Sequence, residues 1–395
     1  MNLRRFVRKK GLIDLTIQLV QAPTENPPGN EKIAVQCLKP LLSKMGFKIK
    51  IVPSPKGRWN IIAERRWGKG GRTLIFNGHL DVVPAGDLSQ WKYPPYQARF
   101  YKGRIYGRGA SDMKSGIAAF IHAVSMIERS RIRLRQGGVM LHLVSDEESH
   151  GHQGTGFLTQ TERIRGDAAL IGEPTDLHPV IAHKGALWIK ISTFGRSAYG
   201  SKPHRGINAI EKMAKFVDRL HSIPLGSEHP LLGKPTFNIG TIRGGTKINI
   251  VPDGCEIEVD RRMLPGENKV KAWGEIREIL ESLRLEDPLF RYRMEEIDFA
   301  EPSEVNPEEE IVRIGVEAIQ EVTGKKPPPS GFSGFTDSRF YINQCHIPTL
   351  ILGPGGTDQS HTTDESVKAD ALVHAAHIYA LIILKFLSRE SISSS

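Results

Sequence analysis

The sequence predicts an α/β protein whose mostly parallel-sheet domain is interrupted by an inserted α+β domain, and three observations carry that prediction. Short apolar runs of strand length alternate with longer helical patterns from about residue 12 to 183. A second texture follows, with stricter apolar–polar alternation, and the first resumes near residue 300. At 395 residues the chain also exceeds what one ordinary core supports.

Taken in order, "KIKIVP", "NIIAE", "TLIFNGHLDVV", "GGVMLHLVSDEE" and "AALIGEP" read as strands. "SGIAAFIHAVSMIERS" reads as a helix opened by Ser115 and Gly116. In such a fold, loops at strand carboxyl ends are the expected site. Beyond "IAHKG", the strands "LWIKISTFG", "PTFNIGTIRGG" and "CEIEVDRRML" are separated by the helical "NAIEKMAKFVDRLHS" and "VKAWGEIREILESLR". That pattern reads as a compact unit of two helices against antiparallel strands, spanning 184–298. Residues 1–183 and 299–395 then form the other domain, closing with "EEEIVRIGVEAIQEVTG", a turn at Pro327–Pro329, the strand "PTLILGPGG" and a terminal helix.

Composition narrows the class. A 39% hydrophobic and 25% charged chain is globular in type. Its net charge of +10 is spread along the sequence without a basic-aromatic nucleic-acid motif, so an anionic small molecule is the expected partner and nucleic acid is not. Cys37, Cys255 and Cys345 lack metal spacing and cannot form a paired framework, which fits a reducing compartment. The basic N-terminal stretch is interrupted by Asp14 and Gln18 with no cleavage site, so a cytoplasmic protein is expected. The apolar "ALVHAAHIYALIILKFL" contains His374, His377 and Lys385 and reads as a packed helix, not a membrane span.

The chemistry gathers at glycine-framed strand ends. His79 and Asp81 lie two apart in "FNGHLDVVP", so on a strand they share a face, and a carboxylate beside an imidazole orients a metal-ligating histidine. Asp112 follows the glycine-rich "YGRGASDMKSG"; either it caps the next helix or it bridges metals. Glu147 and Glu148 stand side by side in "VSDEESHG", an arrangement that repels unless cations or a division of labour make it useful. Glu173 ends a strand before Pro174, and His361 follows the loop "GPGGTDQSH". His79, Asp112, Glu148, Glu173 and His361 together point to two divalent ions sharing one carboxylate.

In order, "GHLDVVP", "YGRGASDMKSG", "SDEES", "GEP", "GPG" and "SHTTDE" resemble peptidase family M20, the two-metal group that includes acetylornithine deacetylase, succinyl-diaminopimelate desuccinylase, aminoacylases and carboxypeptidases. The resemblance runs from about residue 10 to 385. It implies a catalytic domain with an inserted lid that mediates a homodimer. It makes Asp112 the carboxylate between two metals, with His79 and Glu173 completing one and Glu148 and His361 the other. Asp81 sits behind His79, and Glu147 is the general base. Zinc is the ion implied, and the nitrogen and oxygen donors also suit cobalt or manganese.

In the lid, "GTKINIVPDGCEIEVDRRMLPGE" resembles the segment whose asparagine and arginine hold substrate, here Asn249 and Arg262. Strand alternation turns only one of Arg261 and Arg262 toward a cleft. Where the family has a lid histidine this chain has Tyr199; its phenol, or else His204, is expected to supply that contact. The activity implied is metal-dependent hydrolysis of an N-acyl amino acid, the nearest alternative is a carboxypeptidase or dipeptidase acting on a short peptide, and a non-catalytic dimeric binding protein is a third.

Overall fold

The computed structural model describes residues 3–162 and 164–388. The chain forms two compact units. One comprises Met1–Ile181, Val305–Ser330 and Thr336–Ser395; the other comprises Ala182–Glu304 with Gly331–Phe335.

In the first unit the sheet order is Lys48–Pro53, Trp59–Arg66, Gly138–Val144, Thr73–His79, Ala168–Ile171, Thr349–Ile351 and then Val180. The central four strands, 138–144, 73–79, 168–171 and 349–351, run parallel. The 59–66 strand and its outer neighbour are antiparallel to their partners. Residues of the 73–79 and 168–171 strands are buried on both faces, as the unbroken apolar runs imply for a sheet covered by helices. Phe76 stacks on Phe120 of the helix Lys114–Ser130 at 4.2 Å between ring centroids, with Tyr379 of the helix Ala369–Ser388 beside both.

Two features bring a helix start up to the strand ends. A Cβ at Gly116 would lie 2.2 Å from the Gly172 carbonyl oxygen, so only glycine permits the approach. The register pairs His79 with Val144, setting the ends of two parallel strands level. The helix Ala369–Ser388 is the one helix among the described residues long and apolar enough to cross a membrane; it packs against the 114–130 and 310–323 helices with thirteen of its residues buried.

The second unit is a four-stranded antiparallel sheet in the order Thr236–Gly244, Gly254–Met263, Gly185–Phe194, Arg291–Ala300. The helices Ala209–Leu220 and Lys269–Glu286 cover it, burying Met213, Phe216, Ile276 and Leu280 against Leu187, Ile189 and Ile257. Asn208 caps the first helix through Ile210 N and Glu211 N, and Asn268 caps the second through Lys271 N. This unit reaches past residue 298 because Ser303 and Glu304 pair with His183 and Ala182. It also takes in 331–335, where the Phe332 carbonyl accepts from Lys184 N. Such returns leave no local mark in composition.

Two buried histidines give the first unit an acid-sensitive core. Burial pushes His142 down to about 3. Burial, helped by the charges of Arg129 and Arg8, pushes His122 down to about 4. Both values lie below the unfolded value, so the unfolded chain binds more protons as pH falls below about 6.5. Stability is therefore full above that pH and expected to fall by about 1.4 kcal/mol per unit for each histidine down to about 4. Urea unfolding between pH 7 and pH 5 measures the slope, and His122→Gln should flatten it; an unchanged slope in that variant refutes the assignment.

Candidate metal centre

Four of the five expected ligands stand beside the end of a regular element, and His361 lies in the loop between the strands Thr349–Ile351 and Ser366–Lys368. His79 is the last residue of its strand, and Glu173 follows the 168–171 strand by two residues. Glu147 and Glu148 lie in a short 3-10 turn, Glu147–Ser149, beyond the 138–144 strand. That turn is bracketed by left-handed backbone at Asp146 and His150, so the chain is reversing where the paired glutamates stand. Asp112 precedes the 114–130 helix, and its peptide bond to Met113 is cis.

The structure brings the five into two groups that share Asp112. His79, Asp112 and Glu173 offer ligand atoms within 4.8 Å of one another, and so do Asp112, Glu148 and His361. Asp112 divides its oxygens between them: Oδ1 is 3.0 Å from His79 Nε2, and Oδ2 is 3.5 Å from His361 Nε2. His79 Nε2 is also 3.7 Å from Glu173 Oε1, and His361 Nε2 is 3.0 Å from Glu148 Oε2. Glu147 belongs to neither group, yet it is buried among them.

Charge within this cluster is frustrated when only protein groups are counted. Burial, with Asp112 and Glu148 nearby, raises the Glu173 carboxyl to about 8 against the pull of His79. Burial and then the Glu173 charge raise Glu147 well above the carboxylate range, and burial with Asp112 raises Glu148. Burial works against the charge on His79, but Glu173 and Asp112 outweigh it and raise that imidazole well above its ordinary value. Bonds to Asp112 and Glu148 lift His361 to about 11. A carboxylate set that costs this much to ionise is one that cations would relieve.

Donor chemistry agrees. Oxygen and imidazole nitrogen donors in sets of three around one shared carboxylate suit a pair of divalent ions. Glu148 Oε1 is buried without a hydrogen-bond partner among the described residues. A buried carboxylate oxygen left so is costly, and coordination would satisfy it.

Asp81 behaves differently from the strand-based expectation. The strand ends at His79, so the same-face argument does not reach Asp81. The backbone carbonyl of Asp81, 2.9 Å from His79 Nδ1, accepts that proton and leaves Nε2 to face the ligand cluster, while its carboxylate stays 3.7 Å from Nδ1. The carboxylate instead accepts from the backbone of Glu147 at 3.3 Å and Glu148 at 3.2 Å, and from Asn26 Nδ2 at 2.9 Å. One residue thus sets the histidine tautomer and holds the glutamate turn.

Two buried sets around the turn escaped the sequence reading. Arg58 binds Glu31 through Nε and Nη2 and donates to Asp146 at 2.9 Å and Asn26 at 3.2 Å. Asp146 in turn accepts from Gln153 N at 2.9 Å. On the other side Asp337 accepts from Thr155 at 2.6 Å, Thr155 accepts from Asn77 at 2.8 Å, and Arg339 donates to the Thr336 and His150 carbonyls. Residues 336–339 thus supply a clamp on the glutamate loop. Lone polar residues in "PKGRWN" and "TENPPGN" carry no local signal, and only contacts far apart in sequence reveal them.

The expected substrate residues lie in the second unit. Arg261 is fully buried and bound to Glu267 and Glu275, whereas Arg262 is partly exposed, with Nε donating to Asp260 at 2.9 Å. Alternation in the Gly254–Met263 strand thus leaves Arg262 as the available guanidinium. Tyr199, His204 and Asn249 are exposed, with Tyr199 and Asn249 drawn together by a Tyr199–Ile250 bridge and a bond from Gly200 N to the Asn249 carbonyl.

Residues 75–385 match the profile of peptidase family M20/M25/M40. The acetylornithine deacetylase of Photorhabdus laumondii is 32% identical over 369 residues, which is 90% of this chain and 92% of that protein. A tripeptidase from Staphylococcus aureus superposes with a TM-score of 0.81 at 23% identity over 97% of this chain and all of its own. A dinuclear metal-binding M20 peptidase from Bacillus subtilis gives 0.72 at 17% identity, covering 96% of this chain and 98% of its own. At these identities the structural likenesses establish the fold.

Proposed function

The chain belongs to peptidase family M20/M25/M40 and is a metal-dependent amide hydrolase, and on that premise we propose that it cleaves an N-acyl amino acid of the N-acetylornithine kind to a carboxylate and a free amine. The observation that carries the reading is the division of Asp112, one oxygen toward His79 and the other toward His361. The relative that is 32% identical over 90% of this chain is an acetylornithine deacetylase, which favours an acyl amino acid over a peptide.

His79, Asp112 and Glu173 would hold one ion, and Asp112, Glu148 and His361 the other. Two such ions supply Lewis-acid activation of water and of the scissile carbonyl. Glu147, committed to neither group, accepts the proton of the attacking water on a carboxylate oxygen and delivers it to the leaving nitrogen. Asp81 keeps that glutamate's backbone in place. Arg262 pairs with the α-carboxylate of the substrate, a contact its planar fork suits, and Asn249 supports it. Zinc is the proposed ion, with cobalt or manganese able to replace it.

Turnover of acetylated and succinylated amino acids against dipeptides, with zinc or cobalt added, tests the reading. Acyl amino acids are expected to show the higher kcat/KM; a dipeptide preference would favour the carboxypeptidase or dipeptidase reading instead. Tyr199 is proposed to donate its phenol proton to the developing oxyanion. Tyr199→Phe should then lower kcat by about 10²-fold while His204→Ala changes it little. A silent Tyr199→Phe would exclude the hydroxyl.

The same reading includes a homodimer in the cytoplasm. The Thr236–Gly244 strand is an open edge of its sheet, and Ile242, Ile248, Ile250 and Tyr199 are exposed in the same unit, an apolar surface that a second copy would cover. Three free cysteines fit a reducing compartment. Light scattering of the eluting protein should report twice 44.0 kDa, and Ile242→Lys should halve it.

A further inference from the structure

Glu365 is fully buried, is not one of the metal-binding candidates, and touches the backbone that carries Asp112. Its Oε1 accepts from two consecutive amides, Ser111 N at 2.8 Å and Asp112 N at 3.0 Å. Its Oε2 accepts from Arg108 Nη1 at 2.7 Å, and its own carbonyl accepts from Gly107 N at 2.9 Å. Arg108 is itself buried and spans onward to the Thr362 carbonyl at 3.2 Å. Directly after Glu365, Ser366 to Lys368 pair with Tyr106 to Arg104 as a short antiparallel ribbon.

The same loop carries His361, four residues earlier. His361 has more than half its side chain exposed and a left-handed backbone, so little of its own packing fixes it. Its place depends on how the 355–365 loop is tied down, and the ties run to the Asp112 segment: Ser111 Oγ donates to the Gly356 carbonyl at 3.2 Å, and a Cβ at Gly355 would strike Ser111 Oγ at 2.4 Å. Glu365 is the one charged member of this seam that meets Asp112's own amide.

We propose that Glu365 is a positioning residue for the dinuclear centre: by holding the amides of Ser111 and Asp112 it fixes the shared carboxylate against both histidines, so that both ions depend on it. The inference rests on the two-ion reading above. A charged acceptor shared by two amides and an arginine is shorter and stronger than neutral alternatives. An amide at this position cannot reproduce it, because Gln offers one oxygen to two sides that both donate.

Ion titration of the metal-stripped full chain, followed by calorimetry with zinc and by the visible absorption of cobalt, tests the idea without reference to turnover. The unaltered protein is expected to bind two ions, and Glu365→Gln to bind both about 10- to 100-fold more weakly, the range found when a residue behind a metal ligand is removed. Glu365→Asp, which keeps the charge on a shorter arm, should recover part of that loss. Phe216→Leu, in the core of the other unit, should lower the melting temperature and leave ion affinity alone, separating positioning from general destabilisation. If Glu365→Gln does not fold, Arg108→Lys carries the same test, with both affinities expected to fall. Unchanged affinities, or weakening of one ion only, would overturn the role of Glu365. Failure of the unaltered protein to bind two ions would instead overturn the two-ion reading.

Discussion

Glu147→Ala is expected to retain two bound ions and to lose turnover by about 10²- to 10⁴-fold, the usual contribution of a positioned proton carrier. The reasoning is electrostatic. Glu147 is buried, outside both ligand groups, and raised well above the carboxylate range by burial and by Glu173. With no ion-binding duty, its removal should leave affinity intact and even ease the crowding of negative charge around Glu173 and Glu148. Metal content by atomic emission, measured beside kcat, checks both halves at once. A variant that loses its ions would make Glu147 a ligand; a variant that keeps full turnover would remove it from the reaction.

The residues of this pairing were readable because punctuation surrounds them. Glycines and Pro174 mark where strands stop, and side chains at strand ends escape the alternation that would otherwise send neighbours to opposite faces. His79, Glu148 and Glu173 were found in that way, and the parallel sheet followed from its unbroken apolar runs. What escaped was set by contacts that sequence distance hides. Asp81 was expected to present its carboxylate to His79, but the strand stops two residues before it, so a carbonyl does that work and the carboxylate serves the glutamate turn instead. Arg58, Asn26 and Asp337 carry no pattern of their own, and Glu365 closes the motif "SHTTDE" without a role being legible there; each becomes meaningful only when a segment 30 or more residues away folds against it. The order of the strands in the second unit was equally hidden, because alternation tells which face a residue takes and not which strand lies beside it.

Asp112→Asn tests the shared carboxylate directly, and the expected effect is larger still: loss of both ions and of all turnover above background. An amide keeps the shape and one acceptor oxygen but removes the charge that faces both His79 and His361. Glu148→Gln and Glu173→Gln should each weaken one ion far more than the other, since each sits in one group. Stability supplies a readout free of kinetics. An ion that binds only the folded chain stabilises it by about 2.7 kcal/mol when present at a hundred times its Kd. The unaltered protein should therefore melt higher as zinc is added and lower again when a chelator is added. In Asp112→Asn that rise should vanish, because no other residue contributes to both groups. A zinc-dependent rise of undiminished size in Asp112→Asn would mean that the two ligand groups act independently and that the shared carboxylate is not what joins them.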